Sequence, residues 1–121
     1  MSKKVAVLGA SDKASRYSYK AVDQLASGGY EVIPVNTAGK DILGIQSVKT
    51  VNEIDGSLDT LTIYVNPAVT DNLRDDILNL SVKRVIFNPG AENPQLEKAL
   101  IEKGVEAIIA CTLVMLSTDQ F

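Results

Sequence analysis

The chain has 121 residues, 45% of them apolar and 22% charged, which is the balance of one soluble globular domain large enough to bury a core. Its net charge of −3 argues against nucleic acid as a partner, because such binding rests on a surplus of lysine and arginine facing phosphates. A single cysteine, Cys111, and the lack of histidine exclude an internal disulfide, a cysteine-rich metal site and catalysis of the Ser-His or Cys-His kind.

The chain opens with Met1-Ser2-Lys3-Lys4 and then the apolar run Val5–Leu8, too short for a signal peptide core or a membrane span. A cytoplasmic protein with no membrane partner is therefore expected. Val5–Leu8 reads as a first strand, and Gly9 to Arg16 as the turn that leaves it. Tyr17, Ala21, Val22 and Leu25 then follow helical spacing, and Gly28-Gly29 ends that helix. Tyr30–Val35 is the second strand; Thr37 to Leu58 holds only a short helical candidate around Thr50–Ile54. Leu61–Val65 is the third strand, followed by Val69, Leu73, Ile77 and Leu80 on one helical face. After the fourth strand, Val82–Phe87, Asn93-Pro94 reads as an N-cap with proline at the first helical position. That helix carries Leu96, Ala99 and Leu100 inward and ends at Gly104, before a fifth strand at Val105–Ala110. Leu113–Leu116 is apolar and packs either on the sheet or on a second subunit, so self-association and a further protein partner stay open.

Most of these strands read as continuously apolar, which suggests a parallel sheet covered on both faces. The expected architecture is α/β: a Rossmann-like, doubly wound, mainly parallel five-stranded sheet with helices on both faces, filling residues 1–121 as a single domain. Ligands of such sheets lie outside the carboxyl ends of the strands, where strand order reverses. Those ends read Gly9-Ala10-Ser11, Val35-Asn36-Thr37, Val65-Asn66-Pro67, Asn88-Pro89-Gly90 and Ala110-Cys111-Thr112.

The first turn has the makings of an anion site. Gly9 permits a tight turn or a close ligand, the following helix offers unpaired N–H groups, and Ser11, Ser15, Lys13, Arg16 and Lys20 add donors and charge. The same residues also suit a plain helix start with a serine cap and solvated lysines. The stretch Gly9-Ala10-Ser11-Asp12-Lys13-Ala14 is neither Gly-x-Gly-x-x-Gly nor a P-loop. The second strand ends in Pro34-Val35-Asn36-Thr37, without the acid that takes the ribose hydroxyls of NAD. Beyond it, Gly39-Lys40 is a glycine-supported cation within reach of an outlying phosphate.

The segments VAVLGAS, RYSYKAV, GYEVIPVN, ILGIQ, IYVNPA, VIFNPGAENPQ and ACTLVML occur in this order along nearly the whole chain. Together they resemble the small stand-alone CoA-binding proteins, whose fold is similar to the N-terminal CoA-binding domain of the succinyl-CoA synthetase α-subunit. The resemblance implies coenzyme A or an acyl-CoA as ligand. It places the phosphates on the loop from Gly9 to Arg16, through Gly9, Ala10, Ser11, Lys13 and Arg16. It sets Val35, Asn36 and Lys40 beside the adenosine and its 3′-phosphate, and Tyr64, Val65, Asn66 and Pro67 as a wall beside adenine or pantetheine. One departure is Thr37, where the family commonly has proline after Val-Asn; a fixed φ is lost and a looser loop is expected. The synthetase also forms a phosphohistidine on another domain, and this chain has no histidine, so ligase activity is excluded.

CoA carries a pyrophosphate and a separate ribose phosphate, and the sequence offers Arg16 at a helix start and Lys40 further on. Asn88, Gly90 and Glu92 at the fourth strand end could face the crevice, although turn and capping residues are expected there in any case. Cys111 has no basic neighbour in sequence and reads as an inert thiol. No catalytic residue and no metal ligand is assigned. The expected function is non-catalytic binding of CoA, as a sensor or carrier, with an NAD(P)- or other adenine-nucleotide-binding regulator or small enzyme as the alternative. A phospho-accepting receiver domain is excluded because its acids and its lysine are missing from the strand ends.

Overall fold

Five parallel strands form in the computed structural model, which describes residues 3–121: β1 (Lys4–Leu8), β2 (Glu31–Val35), β3 (Leu58–Ile63), β4 (Val82–Phe87) and β5 (Glu106–Ile109). They pair in the order β2-β1-β3-β4-β5. The order reverses between β1 and β3, so the crevice at their carboxyl ends is the place where this architecture receives ligands. The helices are α1 (Tyr17–Ser27), α2 (Pro67–Asn72), α3 (Arg74–Leu78), α4 (Pro94–Glu102) and α5 (Thr112–Ser117), with a 3-10 turn at Val51–Glu53 where a short helix was expected.

The unbroken apolar strands follow from burial on both sides. Along β1, Val5 and Val7 pack with Val22 and Leu25 of α1, whereas Ala6 and Leu8 pack with Ile77, Leu96 and Leu100 on the opposite face. α1 and α5 lie together on the first face. Of the stretch Leu113–Leu116, Leu116 packs against the α1 cluster while Val114 is exposed. No helix among the described residues is long and apolar enough to cross a membrane.

Three expected elements differ in instructive ways. β3 begins at Leu58, where pairing with Val82 starts the ladder, three residues before the expected Leu61, because Asp59 and Thr60 interrupt the apolar run. Its two inward threonines are satisfied: Arg84 Nε donates to Thr60 Oγ1 at 3.1 Å, and Thr62 joins a buried network described below. In α1 the buried face is Ser18, Ala21, Val22 and Leu25, which turns Tyr17 outward to 70% exposure. The helix after β3 is split at Leu73, whose amide is shared between the Val69 and Thr70 carbonyls. The break lets Ile77 into the core while Val69 stays at the surface.

The Asn93 cap forms as expected: its Oδ1 accepts from the Leu96 amide at 3.2 Å, and Glu97 reaches back to the Asn93 amide at 3.1 Å. Asn93 also donates to Thr70 Oγ1 and Asp71 Oδ1, both at 2.9 Å, which ties α4 to α2. Phe87 is fully buried in the larger apolar cluster. Phe87→Ala is expected to lower stability by about 3–5 kcal/mol, measured as a shift in the urea midpoint.

Candidate functional site

The crevice is built on the loop that leaves β1. Gly9 has φ +87°, and a Cβ there would stand 2.7 Å from Val65 Cγ1, so both its conformation and its contact with the loop after β3 require glycine. The Gly9 and Ala10 amides both donate to the Val35 carbonyl, at 3.2 and 3.1 Å, and so are spent on joining β1 to β2. Ser11 Oγ accepts from the Lys13 amide at 3.1 Å. Arg16 holds the N-cap position of α1 without a side-chain acceptor, and α1 has no acidic residue in its first turn. The leading N–H groups of α1 therefore keep their positive field for an occupant of the crevice.

Two cavities meet at Gly9. One, of about 390 Å³, is polar and cationic, lined by Lys13, Arg16 and Ser11 together with Tyr17, Ser18, Tyr64 and Pro89. The other, of about 380 Å³, is mainly apolar and lies across the ends of β1, β2 and β3. Leu8, Ala10, Val35, Val51, Val65 and Leu73 supply its walls, and Asn36, Thr37, Lys49 and Thr50 its polar edge.

Asn36 holds the second loop in place. Its Nδ2 donates to the Ala10 carbonyl at 2.9 Å, and its Oδ1 accepts from the amides of Ala38 at 2.9 Å and Lys40 at 3.4 Å. With Gly39 N–H on the Asn36 carbonyl at 2.9 Å and Ser47 Oγ on the Lys40 carbonyl at 2.8 Å, hydrogen bonds supply the constraint expected to be lost with Thr37. The Lys40 ammonium does not line either cavity; it pairs with Asp12 of the first loop at 3.6 Å, both side chains being solvent-exposed.

The remaining sequence-derived residues divide between lining and support. Asn66 caps α2 by accepting from the Val69 amide at 3.2 Å, and Pro67 is its first residue; both are exposed beside the crevice. Asn88 is buried, with its whole amide engaged: Nδ2 donates to Thr62 Oγ1 at 2.7 Å and to the Ile63 carbonyl at 2.9 Å, and Oδ1 accepts from the Thr112 amide at 2.8 Å. Thr62 and Thr112 hydroxyls close this network at 2.7 Å. Its effect on the crevice runs through β3 and α5, which it joins. The Gly90 amide is taken by Glu92 Oε1 at 2.8 Å.

Tyr64 combines a cavity wall with a buried hydroxyl that finds no hydrogen-bond geometry among the described residues, although the Thr62 and Thr112 hydroxyls lie near it. Burial pushes its pKa up to about 12; the Thr112 and Thr62 hydroxyls oppose the rise and nearby Cys111 adds to it. This phenol is neutral throughout the physiological range and is no general base there. Cys111 is half-buried at the N-cap of α5.

Over residues 3–117 the chain matches the CoA binding domain family. It belongs to that family. It is 30% identical over 108 residues to the uncharacterized protein YneT of Bacillus subtilis (strain 168), covering 89% of this chain and 80% of YneT. A crystal structure of an uncharacterized protein superposes with a TM-score of 0.93 at 45% identity, over 100% of this chain and 99% of that one. A dinucleotide-forming acetyl-coenzyme A synthetase of Ca. Korarchaeum cryptofilum, in complex with phosphate and ADP, shares the fold, with a TM-score of 0.73 at 22% identity. The match covers 87% of this chain and 25% of that synthetase.

Sequence reasoning missed Tyr17, Pro89, Lys49, Thr50 and Val51 as cavity residues. Helical spacing sets Tyr17 on the buried face of α1, whereas it is exposed, and Lys49 to Val51 enter the crevice through a loop with no periodic pattern. Gly9→Ala is expected to cost about 1–3 kcal/mol from its positive φ alone, with further loss from the clash at Val65, read by thermal melting. Tyr64 has a folded-state pKa above its unfolded value of about 10, so the folded state holds the proton more tightly and stability falls as pH rises from 10 through 12. Tyr64→Phe should match or exceed the wild type in urea midpoint at pH 7 and lose less of it at pH 11.

Proposed function

We propose that this protein binds coenzyme A or an acyl-CoA across both cavities and carries out no reaction on it, serving in the cytoplasm as a sensor or carrier. The observation that carries the assignment is the pairing of an apolar cavity with a cationic one at a shared glycine. An adenine ring needs an apolar slot with a polar edge, and a pyrophosphate needs a helix N-terminus with cations. The residues present fit both. Leu8, Val35, Val51 and Val65 would enclose the base, while Arg16, Lys13 and the start of α1 would hold the pyrophosphate. Arg16 contributes more than Lys13, because a guanidinium pairs two phosphate oxygens at once. Tyr64, Tyr17 and Pro89 are left as the walls for pantetheine.

The NAD alternative is disfavoured by Asn36. It stands where an acid would take the ribose hydroxyls, and its side chain is already bonded to Ala10, Ala38 and Lys40. Absence of catalysis is supported by the lining itself. The titratable groups on the two cavities are Lys13, Arg16, Tyr17, Lys49 and a neutral Tyr64, with no carboxylate among them.

A hundredfold excess of CoA over its Kd is expected to add about 2.7 kcal/mol of stability, a rise of several degrees in Tm for a domain of this size. NAD and AMP should shift Tm little; a larger response to NAD than to CoA overturns the assignment. Arg16→Ala should weaken CoA at least tenfold by calorimetry, and acetyl-CoA incubated with the protein should keep its thioester.

A further inference from the structure

We infer that Lys49 is the side chain that recognises a phosphate on the ribose of the bound nucleotide, and that it thereby selects CoA over dephospho-CoA. The inference rests on the proposed CoA site and adds to it a residue from the far part of the connection between β2 and β3.

Lys49 is delivered to the crevice by an addition to the sheet. Val48 pairs in parallel with Val35 on the open edge of β2, its amide donating to the Pro34 carbonyl at 2.9 Å while the Asn36 amide donates to the Val48 carbonyl at 2.9 Å. The next residue, Lys49, accordingly lies beside Asn36 at the strand's carboxyl end and lines the apolar cavity with Thr37 and Thr50. Its stem is guided as well. A Cβ added at Gly39 would lie 3.0 Å from Lys49 Cε and 3.5 Å from its Cγ, so the aliphatic chain runs across the bare backbone of Gly39. Gly39 has φ +71°, and its missing side chain leaves the track the lysine follows.

Charge separates the two lysines. Lys40 is paired with Asp12 at 3.6 Å, so an anion approaching it also meets a carboxylate. Among the described residues no acidic oxygen lies within ion-pair distance of the Lys49 ammonium; the nearby Glu53 carboxylate is engaged instead by the Lys49 backbone amide, at 3.2 Å. A base seated in the apolar cavity leaves its ribose at the cavity's polar edge, which Asn36, Thr37, Lys49 and Thr50 compose. Asn36 is spent on the backbone, and the threonines are neutral. The cation on this edge is Lys49, exposed to solvent, so its attraction for a phosphate is screened by salt.

The test compares CoA with dephospho-CoA by isothermal calorimetry on the full chain, in the wild type, Lys49→Met, Lys49→Arg and Lys40→Met. Methionine keeps the stem on Gly39 and removes the charge. The wild type should prefer CoA by about tenfold, a preference that falls with added salt. Lys49→Met should bring the ratio close to one by weakening CoA while leaving dephospho-CoA within about twofold, Lys49→Arg should keep most of it, and Lys40→Met should keep most of it. A preference retained in Lys49→Met overturns the inference, as does an equal loss of both ligands, which would make Lys49 a mere wall. A wild type that binds neither nucleotide overturns the CoA assignment and this inference with it, an outcome distinct from loss of the Lys49 effect alone.

Discussion

The crevice depends on how the end of β1 is fastened to the end of β2. Two successive amides, Gly9 and Ala10, share the Val35 carbonyl, and the Asn36 side chain returns a hydrogen bond to the Ala10 carbonyl. Neighbouring parallel strands normally part beyond their last ladder bond. Here three bonds hold them together for two residues more, and the chain can then turn only where Gly9 adopts a positive φ with Val65 packed on its face. The β1 loop, the β2 loop and the β3 loop are thereby set against one another before any ligand arrives. Preorganisation of this kind reduces the ordering cost that binding would otherwise meet. It also explains why the Gly9 and Ala10 amides are not themselves anion donors: the loop's backbone is spent on shape, and the start of α1 with Arg16 and Lys13 is left to supply charge.

A second fastening lies on the other side of β3. Asn88, Thr62 and Thr112 form a buried network in which every group of the asparagine amide is engaged. Buried polar groups stabilise only when so satisfied, and they then fix one arrangement of the elements they join. The network joins β3, β4 and the first residue of α5 directly beneath Tyr64. The unpartnered hydroxyl of Tyr64 is the exception in this otherwise satisfied region. Its ring walls the cationic cavity and packs with the α1 cluster.

Much of the fold was legible because its signals are local. Strands buried on both faces announce themselves as apolar runs, and Asn93-Pro94 and Gly28-Gly29 mark helix ends by mechanisms that need no tertiary context. The start of β3 is hidden in the sequence because Asp59 and Thr60 break its apolar run, and its threonines are satisfied by Arg84, Asn88 and Thr112 from distant segments. Tyr17 lies outside because helical spacing permits two overlapping faces, and the packing of α1 on β1, β2 and α5 buries the one running through Ser18. At the site, the glycine and the cations of the first loop were legible as a contiguous stretch. The ion pair that occupies Lys40 and the edge pairing that brings Lys49 in are long-range facts, and composition around residues 37–58 carries no trace of them.

Asp12 is the residue that fits least with an anion site, lying as it does among Ser11, Lys13 and Arg16. Its pairing with Lys40 explains how it is tolerated. An exposed ion pair of this kind contributes about 0–1 kcal/mol to stability, so the fold gains little from it. The local field is another matter. Within a Debye length of the crevice mouth the pair cancels one cation with one anion, which leaves the cationic side chains Lys13 and Arg16 by the polar cavity and Lys49, with Glu53 on its backbone amide, by the apolar one. A chain with a net charge of −3 can therefore still present two distinct cationic poles to a polyanion. Their placement is set by the backbone fastening at Val35 and by Val48 on the sheet edge, and under the proposed CoA reading it is what would tell a nucleotide with two separated phosphate groups from one with a single group.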